Sequence, residues 1–244
     1  MYSNLRRLYI NQRLIQNSKI NLIGNQYHYL RNVLRSKENE FIRLFNGQDG
    51  EWLAKILKFQ KKTILLEISK KIADQKNSLD LWLLFSPIKK NRLNILIQKA
   101  TELGINYFIP VDSERTNLKN IKISNLQYNA IEAAEQCERL DVPEVGNLIK
   151  ISKINDLLLK DRCLIFCDES DKKLKNIINE MTQIKKKYKK WSLIVGPEGG
   201  FSEKEKKQLL NLKNTHPVSL GKRILRSDTA VTVALYCIQQ FADV

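Results

Sequence analysis

Apolar residues along the 244-residue chain change their period near residue 74. Before it, short runs rich in β-branched and aromatic residues, Leu5 to Ile10, Glu40 to Phe45, Trp52 to Phe59 and Thr63 to Ile68, predict strands. Asn46-Gly47 and Asp49-Gly50 supply turn signals between them. Tyr27 to Leu34 reads as a short helix carrying Arg31 and Arg35. Together these predict a small β-barrel, with polar residues from Lys70 to Asn77 as a linker and domains of 1–73 and 74–244.

Beyond the linker, strands alternate with helical spacing. Leu81 to Phe85 is an apolar run that passes through Ser86-Pro87 into a helix repeating Leu93, Leu96, Ile97, Ala100 and Leu103, which Gly104 stops. A strand at Tyr107 to Val111 follows, then a helix from about Asn125 to Arg139, a strand at Cys163 to Cys167 and a long helix from Ser170. Trp191 to Val195 runs into Gly196-Pro197-Glu198-Gly199-Gly200, and a last strand ends at Leu220-Gly221. This alternation predicts an α/β domain with a mostly parallel sheet covered by helices on both faces.

A hydrophobic content of 43% suffices for one or two ordered cores. The chain has no apolar run near 18 residues, and Met1 to Arg13 lacks the apolar stretch of a secretory signal, so a soluble, cytoplasmic protein without membrane contact is expected. Cys137, Cys163, Cys167 and Cys237 lie on apolar segments without paired ligand spacing and read as small core residues, with no metal expected. The formal charge of +16 favours a polyanionic partner, RNA or DNA. Residues 1–72 carry 14 basic against 5 acidic side chains, the denser share, whereas Lys185-Lys186-Lys187 and Lys189-Lys190 fit a solvated face.

Two glycine loops at strand ends, a helix apart, predict a ligand pocket, because ligands of open α/β sheets sit beyond the carboxyl ends of strands. The first loop lacks the Lys-Ser/Thr ending of a phosphate-cradling loop and is not the Gly-x-Gly-x-x-Gly of dinucleotide folds. Ser202 with Glu205 forms a capping box, so the amides of the following helix are already satisfied and mononucleotide phosphate binding is disfavoured.

Val195 to Ser202, followed by Ser219-Leu220-Gly221 and Arg223-Ile224-Leu225-Arg226, resembles the RNA uridine-N3 methyltransferases that modify small-subunit ribosomal RNA, within the SPOUT superfamily. Lys99 to Gly104, Ser113-Glu114-Arg115, Ala134 to Cys137 with Arg139, and His28 to Arg35 are similar to further motifs of that family, so the resemblance covers nearly the whole chain. It implies a PUA-like N-terminal barrel that binds RNA, a SPOUT α/β domain with a C-terminal trefoil knot, a homodimer, and S-adenosylmethionine as cofactor. The expected substrate is 16S rRNA or the small ribosomal subunit.

Carried over, the cofactor-binding residues are Phe166 and Cys167, then Gly196, Pro197, Gly199 and Gly200, then Leu220, Gly221, Ile224 and Leu225. Uridine N3 carries a proton at neutral pH, so a base must remove it or a cation must stabilise the charged ring. Glu198 and Arg226 are the catalytic candidates in these loops. Glu198 could instead hold its loop through backbone hydrogen bonds, and Arg226 could bind phosphate. Arg31, Arg35, Lys89, Lys90, Arg92, Arg115 and Arg139 are the RNA-binding candidates, each of which could equally be a solvated charge. His28 and His216 lie outside the loops and read as structural or RNA-proximal.

Two positions depart from the family pattern. Ser227-Asp228-Thr229-Ala230 stands where Thr-Glu-Thr-Ala is common, keeping a hydroxyl and a carboxylate able to cap the final helix. Glu138 replaces a common glycine before Arg139, so a local contact there is expected to differ. A SPOUT enzyme with another RNA nucleotide target, and a noncatalytic RNA-binding ribosome assembly protein with a vestigial pocket, are the competing readings.

Overall fold

The computed structural model describes residues 2, 4–76, 78–116, 118, 120–158, 161–171 and 173–242, so Asn77 at the end of the expected linker lies outside the described residues. The chain divides into two compact units, one of residues up to 77 together with 134–142, the other of 78–133 and 143 onward.

In the first unit, β1 (Arg7–Tyr9), β2 (Lys19–Ile23), β3 (Phe41–Phe45), β4 (Glu51–Phe59) and β5 (Thr63–Ala73) form a mixed sheet in the order β1-β3-β4-β5-β2. Only β1 and β3 pair in parallel; the other pairs are antiparallel. Strand β2 was not expected from the sequence. Its Ile20 and Leu22 alternate inward with exposed neighbours, a five-residue signal too short to stand out. Strand β5 continues to Ala73, through half of the expected linker, because Lys70, Lys71 and Ala73 still pair with β4. A short helix, α1 (Gly24–His28), passes into a π-helical turn over Tyr29–Val33, which seats fully buried Leu30 among Leu22, Ile56 and Leu66. Between β3 and β4, Asn46 Oδ1 accepts from the amides of Gln48 and Asp49, the side-chain turn expected there.

The segment 134–142 belongs to this unit through buried Arg7. Its Nε donates to Glu51 at 2.5 Å, and its two terminal nitrogens donate to the carbonyls of Ala134 at 2.8 Å and Arg139 at 2.6 Å. The guanidinium also lies 3.7 Å over the Phe45 ring. Glu138 has φ +63°, a left-handed conformation that costs a glycine nothing. Here its carboxylate meets Arg43 at 2.6 Å, which holds the carboxyl below its ordinary range.

The second unit is a seven-stranded sheet whose pairs are all parallel, built from β6 (Leu81–Phe85), β7 (Tyr107–Asp112), β8 (Glu144–Val145), β9 (Ile149–Lys150), β10 (Arg162–Cys167), β11 (Lys190–Val195) and β12 (Thr215–Val218). The order is β12-β10-β11-β6-β7-β8, with β9 also on β7. Parallel strands buried on both faces read as continuous apolar runs, which is why β6, β7, β10 and β11 were visible in the sequence, whereas the two-residue β8 and β9 were not expected. Leu81, Leu83, Phe85, Cys163, Ile165, Trp191 and Leu193 face one core, with α2 (Lys90–Glu102), α3 (Ile123–Gln136), α5 (Ile177–Ile184) and α7 (Ser227–Ala242). Leu84, Leu164, Phe166 and Ile194 face the other, with Ile154 of α4 (Ile154–Leu157) and Leu209 of α6 (Glu203–Leu210). Helix α7 alone buries Val231, Leu235 and Ile238 completely, each worth about 1.5–3 kcal/mol of transfer free energy.

The long helix expected from Ser170 does not form; α5 begins only at Ile177 and spans eight residues. Asp168 Oδ1 accepts from the Ser170 amide and Asp171 Oδ1 from the Lys173 amide, local turns that compete with helix, and Asn176 then caps α5 by accepting from Ile178 N. Cys137 is a second correction: it is exposed, whereas Cys163 and Cys167 are buried as expected and Cys237 half-buried. No helix among the described residues is long and apolar enough to cross a membrane.

Candidate cofactor cleft and methyltransferase site

Because β12, β10 and β11 are adjacent and parallel, their carboxyl ends bring three loops side by side. Cys167 ends β10 and residues 168–169 follow it, 196–201 follow β11 and 219–225 follow β12, and together they line one open cleft. The Asp168 amide donates to Val218 O at 3.1 Å, extending the β10–β12 ladder to the cleft floor.

Of the residues picked from the sequence, Cys167, Gly196, Pro197, Gly200, Leu220, Gly221, Ile224 and Leu225 line this cleft, as does Glu198. Phe166 stands behind the wall, edge-on to Phe201 at 5.8 Å between ring centroids. Gly199 turns away from the cleft, and its carbonyl accepts from Arg115 at 2.6 Å. Burial pushes the Cys167 thiol up, so it serves as a neutral wall. Asp168, Glu169, Ser219 and Arg223, which lie within or beside the expected segments but were not singled out, also line the cleft, as does Lys206, which was not expected. The first two follow directly on the apolar run 163–167, the one signal that could have marked them.

Hydrogen bonds fix the first two of these loops before any ligand arrives. Gly200 takes φ +67° and donates its amide to Pro197 O, closing a tight turn. Ser227 does not act as the helix cap expected of it: it is the first residue of α7, and its Oγ donates to Gly196 O at 2.8 Å, tying that helix to the glycine loop. The capping box is present, Ser202 Oγ accepting from Glu205 N and Glu205 from Ser202 N. Glu205 also accepts from Glu114 N at 2.7 Å, so with Arg115 it anchors the 113–116 loop against the glycine loop. Lys206 lies 3.6 Å from Asp168 and donates to Ser170 Oγ at 2.5 Å.

The cleft suits a flat, uncharged heterocycle joined to polar groups. Val195, Leu220, Ile224 and Leu225 offer apolar surface, the glycine loop exposes main chain, and Asp168 and Glu169 offer acceptors for hydroxyls or an ammonium. Among the described residues the side chains of Glu198 and Arg226 form no hydrogen bond or ion pair, and both are exposed. Arg226 does not line the cleft but immediately precedes α7, its carbonyl accepting from Ala230 N.

The basic candidates divide. In the first unit Arg31 is exposed, 5.3 Å from the Phe59 ring, and Arg35 is exposed with φ +51°. Arg139 of that unit is largely buried and forms a two-pronged pair with Asp141. In the second unit Lys89 and Lys90 are exposed at the start of α2, and Arg92 is half-buried. Neither histidine lies in the cleft; His28 is exposed and His216 is bonded to Glu180 at 2.7 Å. Among the described residues no group of His, Cys, Asp and Glu could hold a metal ion.

The chain matches the model of an RNA methyltransferase domain over residues 75–239 and that of an RNA methyltransferase PUA domain over residues 22–69. It is 37% identical over 231 residues to the ribosomal RNA small subunit methyltransferase E of Rickettsia conorii, covering 94% of this chain and 93% of that protein. The chain belongs to this family of RNA methyltransferases. The corresponding protein of Buchnera aphidicola subsp. Schizaphis graminum is 32% identical over 251 residues, covering 100% of this chain and 99% of that one. The crystal structure of the methyltransferase E of Neisseria gonorrhoeae bound to S-adenosyl methionine superimposes with a TM-score of 0.87 at 29% identity, over 97% of this chain and 98% of that one.

Proposed function

We propose that the protein transfers a methyl group from S-adenosylmethionine to N3 of a uridine in the 16S rRNA of the small ribosomal subunit. The observation that carries this reading is the cleft itself: three loops from three neighbouring parallel strands, two of them glycine-bearing, in a chain of this methyltransferase family. Adenosylmethionine bound there supplies a methyl group already activated on a sulfonium, so the protein contributes mainly orientation. Main-chain groups of Gly196 to Glu198, of Gly200 and of Leu220 to Leu225 read the adenine. The carboxylates of Asp168 and Glu169 hold hydroxyls or the ammonium.

Removing the N3 proton leaves negative charge on the uracil ring. Arg226, whose exposed side chain has no partner among the described residues, is the candidate to stabilise it. Glu198, which lines the cleft in the same condition, is the candidate base. RNA reaches the site along exposed cations. Lys89 and Lys90 stand at the N-terminal end of α2, where the helix dipole disfavours cations and favours a phosphate, so their position is explained by a bound anion rather than by helix stability. Arg31 and Arg35 of the PUA-type unit are exposed cations for the same RNA, and in the second unit Arg115 fixes the glycine loop. Arg139 enters as a residue that orders the 134–142 segment.

The trefoil knot and the homodimer implied by the family resemblance, and the cytoplasmic location expected from the sequence, belong to this proposal. Val233 and Tyr236 on α7, 37% and 56% exposed, support a protein partner for that helix. The test is methyl transfer from labelled adenosylmethionine to small subunits or 16S rRNA from cells that lack the protein. Incorporation supports the reading, and a protein that binds adenosylmethionine yet labels neither substrate contradicts it.

A further inference from the structure

Away from the cleft lining, a chain of hydrogen-bonded side chains joins β12, α5 and the approach to β11. His216 of β12 places Nδ1 2.7 Å from Glu180 Oε1 of α5 and Nε2 3.2 Å from the Tyr188 hydroxyl. That hydroxyl also reaches Asn214 Oδ1 at 3.3 Å, and Lys175 lies 3.7 Å from the second oxygen of Glu180. The Tyr188 ring is edge-on to both Trp191 and His216. The buried Cys163 thiol beside them is pushed up by burial and by the Glu180 charge.

The two ring nitrogens of His216 thus engage the carboxylate of Glu180 on α5 and the hydroxyl of Tyr188 ahead of β11. A hydrogen bond to a carboxylate is a stiff tie between a helix and a strand.

What it ties is the base of the third cleft loop. Three residues beyond His216, Ser219 donates its amide to Lys175 O at 2.9 Å and accepts from Ile177 N at 3.1 Å. Ser219 lines the cleft, and Leu220, Gly221, Ile224 and Leu225 follow it. Glu180 sits one turn along the helix that these bonds begin. We infer that Glu180, His216 and Tyr188 form a clamp that positions the 219–225 loop, and so sets the affinity for adenosylmethionine without touching it. This inference rests on the function proposed above.

Calorimetric titration of the full chain with adenosylmethionine, alongside single-turnover methylation at saturating cofactor, tests it. His216→Gln should weaken binding about tenfold, the loss of roughly one charge-assisted hydrogen bond, and Tyr188→Phe by a smaller factor of about three. Rates at saturating cofactor should stay within about twofold of wild type, because no clamp residue meets the reacting atoms. Tyr188→Phe keeps its ring on Trp191 and decides the matter if His216→Gln fails to fold. Folded variants that bind as tightly as wild type would overturn the clamp and leave the proposed function standing. A wild-type protein that takes up no adenosylmethionine would overturn both.

Discussion

Replacing Gly221 with alanine should weaken adenosylmethionine binding without disturbing the fold. Gly221 has φ +121°, yet a β-carbon built on it meets nothing within 4 Å. The penalty is therefore conformational rather than steric. Positive φ costs a non-glycine residue about 1–2 kcal/mol. In the free protein the exposed loop can relax out of that conformation, so the thermal midpoint should hardly move. Binding requires the loop to return, so the cost appears in affinity, and at about 1.4 kcal/mol per tenfold it predicts a dissociation constant raised roughly 5- to 30-fold. Gly199 is the control: it lies on the neighbouring glycine loop without positive φ, and its added β-carbon would sit 3.4 Å from Arg115 Cδ, on a flexible side chain. Gly199→Ala should bind within about twofold of wild type, a change worth under roughly 0.5 kcal/mol. Calorimetry on the three proteins is the assay. Unchanged affinity in Gly221→Ala, or an equal loss in both variants, would refute the placement of the cofactor against the 219–225 loop.

Arg226→Ala should lower the single-turnover methylation rate by about 10²-fold or more with cofactor affinity nearly kept; a normal rate with weaker RNA binding would make Arg226 a phosphate contact. Glu138 owes its lowered carboxyl chiefly to its hydrogen bond with Arg43. Its contribution to stability is therefore present above the ordinary carboxylate range, near about 4, and is lost as pH falls through the lowered value. Urea midpoints of Glu138→Gln should accordingly fall below wild type at neutral pH and converge with it in acid, and parallel curves would contradict the pairing. A fragment beginning at residue 75 should still bind adenosylmethionine, since every cleft residue lies in the second unit. It should lose amide-exchange protection over 134–142, because Arg7, which holds the carbonyls of Ala134 and Arg139, is removed; protection equal to that in the full chain would show that this segment does not depend on Arg7.

Strands β6, β7, β10 and β11 were legible because burial on both faces writes them as apolar runs, and the cleft was legible because glycines fell beyond the ends of two expected strands. What escaped notice is decided by contacts between residues far apart in the chain. The 134–142 segment joins the first unit through Arg7, 127 positions away from Ala134. Residues 168–176 have a helix-like composition, but two aspartates divert the backbone amides into turns. The glycine common at position 138 in the family marked a left-handed residue, and here Glu138 keeps that conformation while gaining Arg43 as partner. The Glu180–His216–Tyr188 chain left no trace in the sequence, since its members lie 36 and 28 positions apart.

The central claim is tested most directly by the identity of the modified nucleoside. Purified protein, adenosylmethionine and small subunits from a strain lacking the enzyme are incubated, and the 16S rRNA is digested to nucleosides for mass spectrometry against a 3-methyluridine standard. The account predicts that 3-methyluridine appears with the wild-type protein and is nearly absent with Arg226→Ala. A methylated nucleoside other than 3-methyluridine, or none from protein shown to bind the cofactor, would contradict it.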